Sequence, residues 1–236
     1  MQTMKWSDEL IDREEHLLIG GTTGSGKSNF MQHLIASILC EDPREHKMVL
    51  VDPKRCEFER YRNCAHTMRM VRKCDEIADT LDELSVLIEA RLDEMAERDE
   101  QFYWWGCRIH VIVDEFADIM EGVHAKKLRP RFQHVCQIGR AANVQVIAAT
   151  QHPSRKVIPS EIQANFGIKI GLRTAGPLES KIILNATGCE ALPLRGKCLV
   201  QDPEHIGLMM KVIPKVDKEE LKALAKRRTP DRLQRK

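Results

Sequence analysis

The chain has 236 residues, with 37 Lys plus Arg against 35 Asp plus Glu and a formal net charge of +2, so any surface for a polyanion must be local rather than global. That length favours one large domain with a sizeable core, and no apolar run approaches the roughly 20 residues that a membrane helix requires, so the chain as given reads as soluble. Its cysteines stand at 40, 56, 64, 74, 107, 136, 189 and 198 with no C-x-x-C pair and no signal peptide ahead of them; they read as reduced thiols of a cytoplasmic protein, several buried, and zinc is not expected.

Residues 1–15 are polar and charged and are expected to form a loosely held lead-in. A first strand is predicted at 16–20, and a glycine-rich turn then opens a helix at 27–40. Strands follow at 48–52 and 67–71, and Ile77, Leu81, Leu84, Ile88, Leu92 and Met95 mark one face of a longer helix. Further strands are predicted at 109–114, 144–150 and 168–172, and the runs 198–201 and 208–212 read as a hairpin joined through Asp202, Pro203 and Glu204. Residues 214–236 are rich in Lys and Arg and are expected to be a solvated tail, with a dedicated DNA contact as the lesser alternative, and 219–226 within it has the pattern of a last helix. Strands alternating with helical patterns predict an α/β domain at 16–213 with a mainly parallel sheet flanked by helices, and no internal repeat interrupts it.

The segment Gly21-Thr22-Thr23-Gly24-Ser25-Gly26-Lys27-Ser28 fits G-x-x-x-x-G-K-[ST] and lies between an apolar strand and a helix, where a phosphate-binding loop belongs. Glycines let the backbone wrap close to a phosphate and aim successive N–H groups at it, while the helix N-terminus adds partial positive charge. ATP is the expected ligand, with Thr22, Thr23, Gly24, Ser25, Gly26, Lys27, Ser28 and Asn29 around its phosphates; Lys27 reaches the β- and γ-phosphates and the Ser28 hydroxyl ligates Mg²⁺.

A second strand ends in Asp114-Glu115. There Asp114 would hold the magnesium through water, and Glu115 would orient and polarise an attacking water. The arrangement requires the Lys27 loop and both carboxylates within a few ångströms of one another, at the mouths of adjacent parallel strands. A third strand ends in Thr150-Gln151-His152-Pro153; if it runs between the other two, Gln151 faces the γ-phosphate as a sensor. An ordinary turn residue before proline is the plainer reading of Gln151.

Several segments together resemble the motor domain of the FtsK/SpoIIIE family of double-stranded DNA translocases. They are 18–28, Val51-Asp52-Pro53-Lys54, Val113-Asp114-Glu115-Phe116-Ala117-Asp118, Gly139-Arg140-Ala141-Ala142 and Ala149-Thr150-Gln151-His152-Pro153-Ser154. Ile162 with Ala164-Asn165, Glu179-Ser180-Lys181 and Gly188-Cys189-Glu190 keep the family's order, and the likeness spans roughly 12–215. It implies a RecA-like domain acting in a hexameric homo-oligomeric ring around duplex DNA, with Arg140 entering the neighbouring subunit's site as an arginine finger. A surface arginine beside the basic helix of Lys126, Lys127, Arg129 and Arg131 is the alternative for Arg140.

The family's pore loops correspond to the segment after Thr150-Gln151 and to 173–181, which assigns His152, Arg155, Lys156, Arg173 and Lys181 to DNA tracking through phosphates. The chain departs from the pattern in several places. Pro177 stands where a basic pore residue is usual, and His152, Lys169 and Lys181 replace arginines. The motor subdomain and membrane anchor that precede this region in the family, and the winged helix that follows it, are expected to be missing, which suggests a catalytic subdomain, either excised or serving a minimal translocase of a phage, plasmid or conjugative element. The leading reading is an ATPase that moves duplex DNA. The alternative is an ATP-dependent assembly or switch protein that does not translocate DNA, and a nucleotide kinase is disfavoured by Glu115 and Arg140.

Overall fold

The computed structural model describes residues 5–54 and 57–230; residues 1–4 of the expected lead-in, residues 231–236 of the expected tail, and Arg55 with Cys56 lie outside the described residues. Eight strands make one sheet: β1 (Leu17–Gly20), β2 (His46–Val51), β3 (Thr67–Val71), β4 (Arg108–Val113), β5 (Val144–Thr150), β6 (Ile168–Gly171), β7 (Lys197–Gln201) and β8 (Leu208–Val212). Their spatial order is β3-β2-β4-β5-β1-β6-β7-β8. The first six run parallel, and β7 and β8 close the edge as the antiparallel hairpin expected from the sequence.

The central strands are apolar on both faces because helices cover both. In β5, Ile147 and Ala149 point into one core while Val144, Val146 and Ala148 point into the other. Helix α1 (Lys5–Asp12), α2 (Lys27–Cys40) and α8 (Lys218–Arg227) cover the first face. The second lies under α3 (Cys74–Arg98), α4 (Phe116–Met120) and α5 (Ala125–Ile138), with Ile162 of α6 (Ser160–Gln163) buried in the same core, while α7 (Pro177–Leu184) flanks β6 and β1. In α3 the predicted stripe faces the sheet, with Ile77, Leu81, Leu84, Ile88 and Met95 buried and Leu92 packed at its margin. Pro177 occupies the first turn of α7, where its missing N–H costs nothing.

The structure corrects the expectation that both ends are loosely held. In α1, Leu10 and Ile11 are buried, the Trp6 ring stacks on Phe30 at 5.1 Å, and the Ser7 and Ser37 hydroxyls meet at 2.9 Å. At the other end Ile213, Val216, Leu221, Leu224 and Ala225 enter the same core. The Asp217 carboxylate caps α8 by accepting from the N–H groups of Glu219 and Glu220. The predicted last helix therefore forms, and apolar burial rather than charge decides its position.

At the N-terminal edge of the sheet a buried polar chain anchors α1. The Gln145 Nε2 donates to the carbonyls of Leu10, Arg13 and Glu15 at 2.9–3.0 Å, which leaves its Oε1 to accept from His110 Nδ1. His110 Nε2 must then accept the proton that His46 Nδ1 donates across 3.0 Å. Just before β1, His16 Nδ1 accepts from the Val146 N–H and its Nε2 donates to the Cys136 carbonyl. Burial, with His46 close by, holds His110 down to about 3, and burial holds His16 at about 4, against an ordinary 6.5.

Two outcomes follow from this packing. Leu221→Ala is expected to lower unfolding free energy by about 2–5 kcal/mol in a urea titration, whereas a solvated tail would give no change. Because the folded pKa values of His110 and His16 lie below the unfolded one, their contribution is complete above about pH 6.5 and is lost as pH falls toward 4 and 3. Melting temperature should therefore be level between about pH 7 and 8, fall steadily below 6.5, and fall less steeply in His110→Gln.

Candidate active site

The turn between β1 and α2 folds as the motif requires. Gly24 and Gly26 take φ values of +81° and +100°, a left-handed backbone that side chains resist. The turn is tied down on both flanks. The Gly21 N–H donates to the Thr150 carbonyl, and the Thr22 N–H and hydroxyl both donate to the Arg173 carbonyl. Helix α2 then starts with no capping side chain and no acid in its first turn, so its N–H groups point unopposed toward the loop.

Lys27 and the acidic strand end meet. The Lys27 Nζ lies 3.0 Å from Asp114 Oδ1 and donates to the Asp114 carbonyl at 2.6 Å, with both side chains almost wholly buried. The strands that carry them are not adjacent, however. β5 runs between β4 and β1, so the expected neighbouring mouths are corrected to flanking ones. That interposition brings Gln151 to the phosphate loop, where its Oε1 accepts from the Thr23 hydroxyl at 2.8 Å.

Glu115 is 1% exposed and is held from several sides. Its Oε1 accepts from the Thr150 hydroxyl at 2.7 Å and from the Ala117 N–H at 3.3 Å, which makes it the N-cap of α4. The Gln151 N–H reaches both carboxylate oxygens at 3.2–3.3 Å, and Lys54 Nζ stands 3.6 Å from Oε2. Lys54 also lies 3.9 Å from Asp118. Burial raises the Asp118 carboxyl above the ordinary range; Lys54 opposes the rise, and Glu115 and Asp114 add to it.

Glu57 was not among the residues expected from the sequence. Its Oε1 accepts from the Ser28 hydroxyl at 2.8 Å, and the buried Asp52 carboxylate holds the start of that turn by accepting from the N–H groups of Glu57 and Phe58. The Asp-Pro-Lys run after β2 was legible, but that its loop folds back onto Ser28 was not, because Asp52 reaches its partners only in the folded turn. Arg195 was also missed; its Nε donates to the Gly24 carbonyl at 3.1 Å.

Some expected residues stand elsewhere. The Asn29 side chain is turned away from the phosphate loop; it donates to the Pro214 carbonyl and accepts from the Val216 N–H, so it fastens the C-terminal segment to α2. The sequence could not show this, because its partners lie 185 and 187 residues away. Arg140 sits just before β5 starts, while Thr150 ends it, so roughly 20 Å of strand separates Arg140 from its own chain's site. Its guanidinium lies 3.6 Å from Glu14 and 3.8 Å from Glu15.

His152, Arg155, Lys156 and Lys181 are exposed. Arg155 donates to the Gln163 Oε1 at 3.0 Å. Arg173 is half-buried, and its guanidinium donates to the Leu192 carbonyl at 2.6 Å, which places it in the wall of the phosphate loop. On α5 the predicted basic helix is neutralised locally, with Lys127 on Asp75, Arg129 on Glu161 and Arg131 on Asp82.

These residues fit a nucleoside triphosphate with a divalent cation. The Ser25 hydroxyl is 1% exposed and has no hydrogen-bond partner within the protein, an orphan that a phosphate oxygen would satisfy. Ser28, whose hydroxyl meets Glu57, and Asp114, which meets the Lys27 amine, would offer hard oxygen donors of the kind magnesium requires.

Comparison with known proteins agrees with this geometry. A family model described as FtsK/SpoIIIE family matches residues 3–102. The DNA translocase FtsK of Helicobacter pylori (strain J99 / ATCC 700824) is 30% identical over 223 residues, covering 89% of this chain and 26% of the relative. That of Treponema pallidum (strain Nichols) is 34% identical over 206 residues, covering 80% and 26%. The chain thus spans about a quarter of the length of the curated relatives it matches.

Among solved structures, the pCW3 conjugation coupling protein TcpA, described as a monomer form with ATPgS, superposes with a TM-score of 0.80 at 23% identity, covering 92% of this chain and 66% of that one. EssC (ATPases 2 and 3) from Geobacillus thermodenitrificans gives 0.78 at 18%, covering 92% and 44%. The fold is therefore that of RecA-like P-loop ATPases, as the sequence led us to expect, and the resemblance to the FtsK/SpoIIIE family holds.

Lys27→Ala removes the cation from a buried carboxylate. It is expected to abolish retention of a fluorescent ATP analogue and to lower stability by about 3–5 kcal/mol, measured by urea titration. In the Lys27→Ala/Asp114→Asn double variant the stability loss should be smaller than the sum of the single losses.

Proposed function

We infer that this chain, an ATPase domain of FtsK/SpoIIIE type, hydrolyses ATP and uses the energy to move double-stranded DNA. The observation that carries the hydrolytic part is Glu115. A carboxylate is held at a strand end beside the phosphate-loop lysine and its Asp114 partner, with Oε1 saturated by donors and Oε2 facing Lys54. Glu115 Oε2 takes a proton from the attacking water as the bond from the γ-phosphorus to the bridging oxygen breaks, giving ADP and phosphate. Lys27 binds the β- and γ-phosphates, and the turn of Thr22, Thr23, Gly24, Ser25 and Gly26 cradles them with backbone N–H groups. Magnesium on Ser28 and Asp114 would neutralise charge on the same oxygens.

The motor part rests on the family likeness and on the position of exposed cations. His152, Arg155 and Lys156 follow directly from the strand that ends at Thr150, and Lys181 lies on α7, so loops that abut the site present groups suited to phosphates. The distance of Arg140 from its own site means that an arginine-finger role needs a neighbouring chain, which is how a ring of copies would be arranged. One observation favours the non-translocating alternative. Arg173 is tied to Leu192 and Pro177 is uncharged, so the 173–181 segment offers less grip than the family pattern implies.

Duplex DNA is expected to raise ATP turnover several-fold, and Glu115→Gln to reduce turnover by about 10²–10⁴ while leaving analogue binding intact. Triplex displacement distinguishes motor from switch. A protein that binds ATP and assembles but leaves the triplex in place is a switch.

A further inference from the structure

The residue that ends β5 lies between the two halves of the site. Thr150 is fully buried, and its hydroxyl has one proton to give and lone pairs to accept with. It donates to Glu115 Oε1 at 2.7 Å, the shortest contact this carboxylate makes, and accepts from the His152 N–H at 3.1 Å. Its backbone carbonyl accepts from the Gly21 N–H at 3.2 Å, and the next residue's side chain receives the Thr23 hydroxyl. One residue thus touches the base, the phosphate loop and the first turn of the loop that carries His152, Arg155 and Lys156.

We propose that Thr150 is the positioning residue of Glu115, fixing which carboxylate oxygen faces the attacking water. The two oxygens differ. Oε1 accepts from Thr150, Ala117 and Gln151, which uses its capacity, whereas Oε2 shares the Gln151 N–H and faces Lys54. Without the hydroxyl, Oε1 keeps only two long backbone contacts at 3.3 Å, and the carboxylate is free to turn about its last torsion. The His152 N–H bond to the same hydroxyl makes the orientation of the base depend on the course of the following loop. This assignment rests on the reading of Glu115 as the hydrolytic base.

The test is steady-state ATP turnover of the full chain, with and without duplex DNA, for Thr150→Val and Thr150→Ser; Thr150→Ala replaces the valine variant if that one does not fold. A misplaced base costs rate and not binding. Valine is expected to lower kcat by roughly 10- to 100-fold in either condition with KM and ATP-analogue affinity unchanged, and serine to keep most of the rate. Valine at wild-type kcat, a loss that falls on KM, or a serine variant as poor as valine would overturn the proposal. The contrast is read with or without DNA, so a wild-type enzyme that duplex fails to stimulate counts against the motor reading alone. A wild-type chain with no turnover in either condition sinks both.

Discussion

The site is held together by one buried ion pair. Lys27 opens α2 and Asp114 directly follows β4, and the 3.0 Å contact between them spans the width of an intervening strand. Neither charge is stable alone in that setting, because removal from water costs several kcal/mol per ion unless a partner and further hydrogen bonds replace the solvent. The pairing therefore constrains everything nearby. It sets the height of the phosphate loop over β5, and with it the reach of Gln151 to Thr23 and of Thr150 to Glu115. Parallel strand direction makes this possible, since β1, β4 and β5 all release their chains on the same edge of the sheet.

Around that pair the chain uses short polar contacts where a different protein would use bulk. Asp52 closes the turn that delivers Glu57 to Ser28, and Arg173 supports the phosphate loop through its carbonyl while its guanidinium holds Leu192. Surface charge is handled similarly. On α5, Lys127, Arg129 and Arg131 each have an acidic neighbour, which locally offsets three of the helix's cations.

Much of this is legible in the amino-acid sequence. Strands at 67–71, 144–150 and 208–212 and the helix at 27–40 have the bounds read from the sequence; for 144–150 a β-branched run and for 27–40 the glycine motif leave little freedom. Both terminal segments were misread for one reason. Trp6, Leu10 and Ile11, and likewise Leu221, Leu224 and Ala225, are few apolar residues in charged surroundings, and only the groove beside α2 gives them something to bury against. Lys27, Ser28, Asp114, Glu115 and Gln151 were found by motif and do converge. Glu57, Arg195 and the changed role of Asn29 were not readable, because each is defined by a partner far along the chain or by a turn that exists only once folded.

Both terminal helices lean on α2, Trp6 through its stack on Phe30 and Leu221 and Leu224 through the shared core. A 14-residue rod of about 21 Å starts at Lys27, so a tether grafted at either end of the chain would pull on the lever that carries the phosphate-loop lysine. Handles for force spectroscopy placed there would load the nucleotide pocket directly, and slack should be designed into any tag or fusion joined at those points.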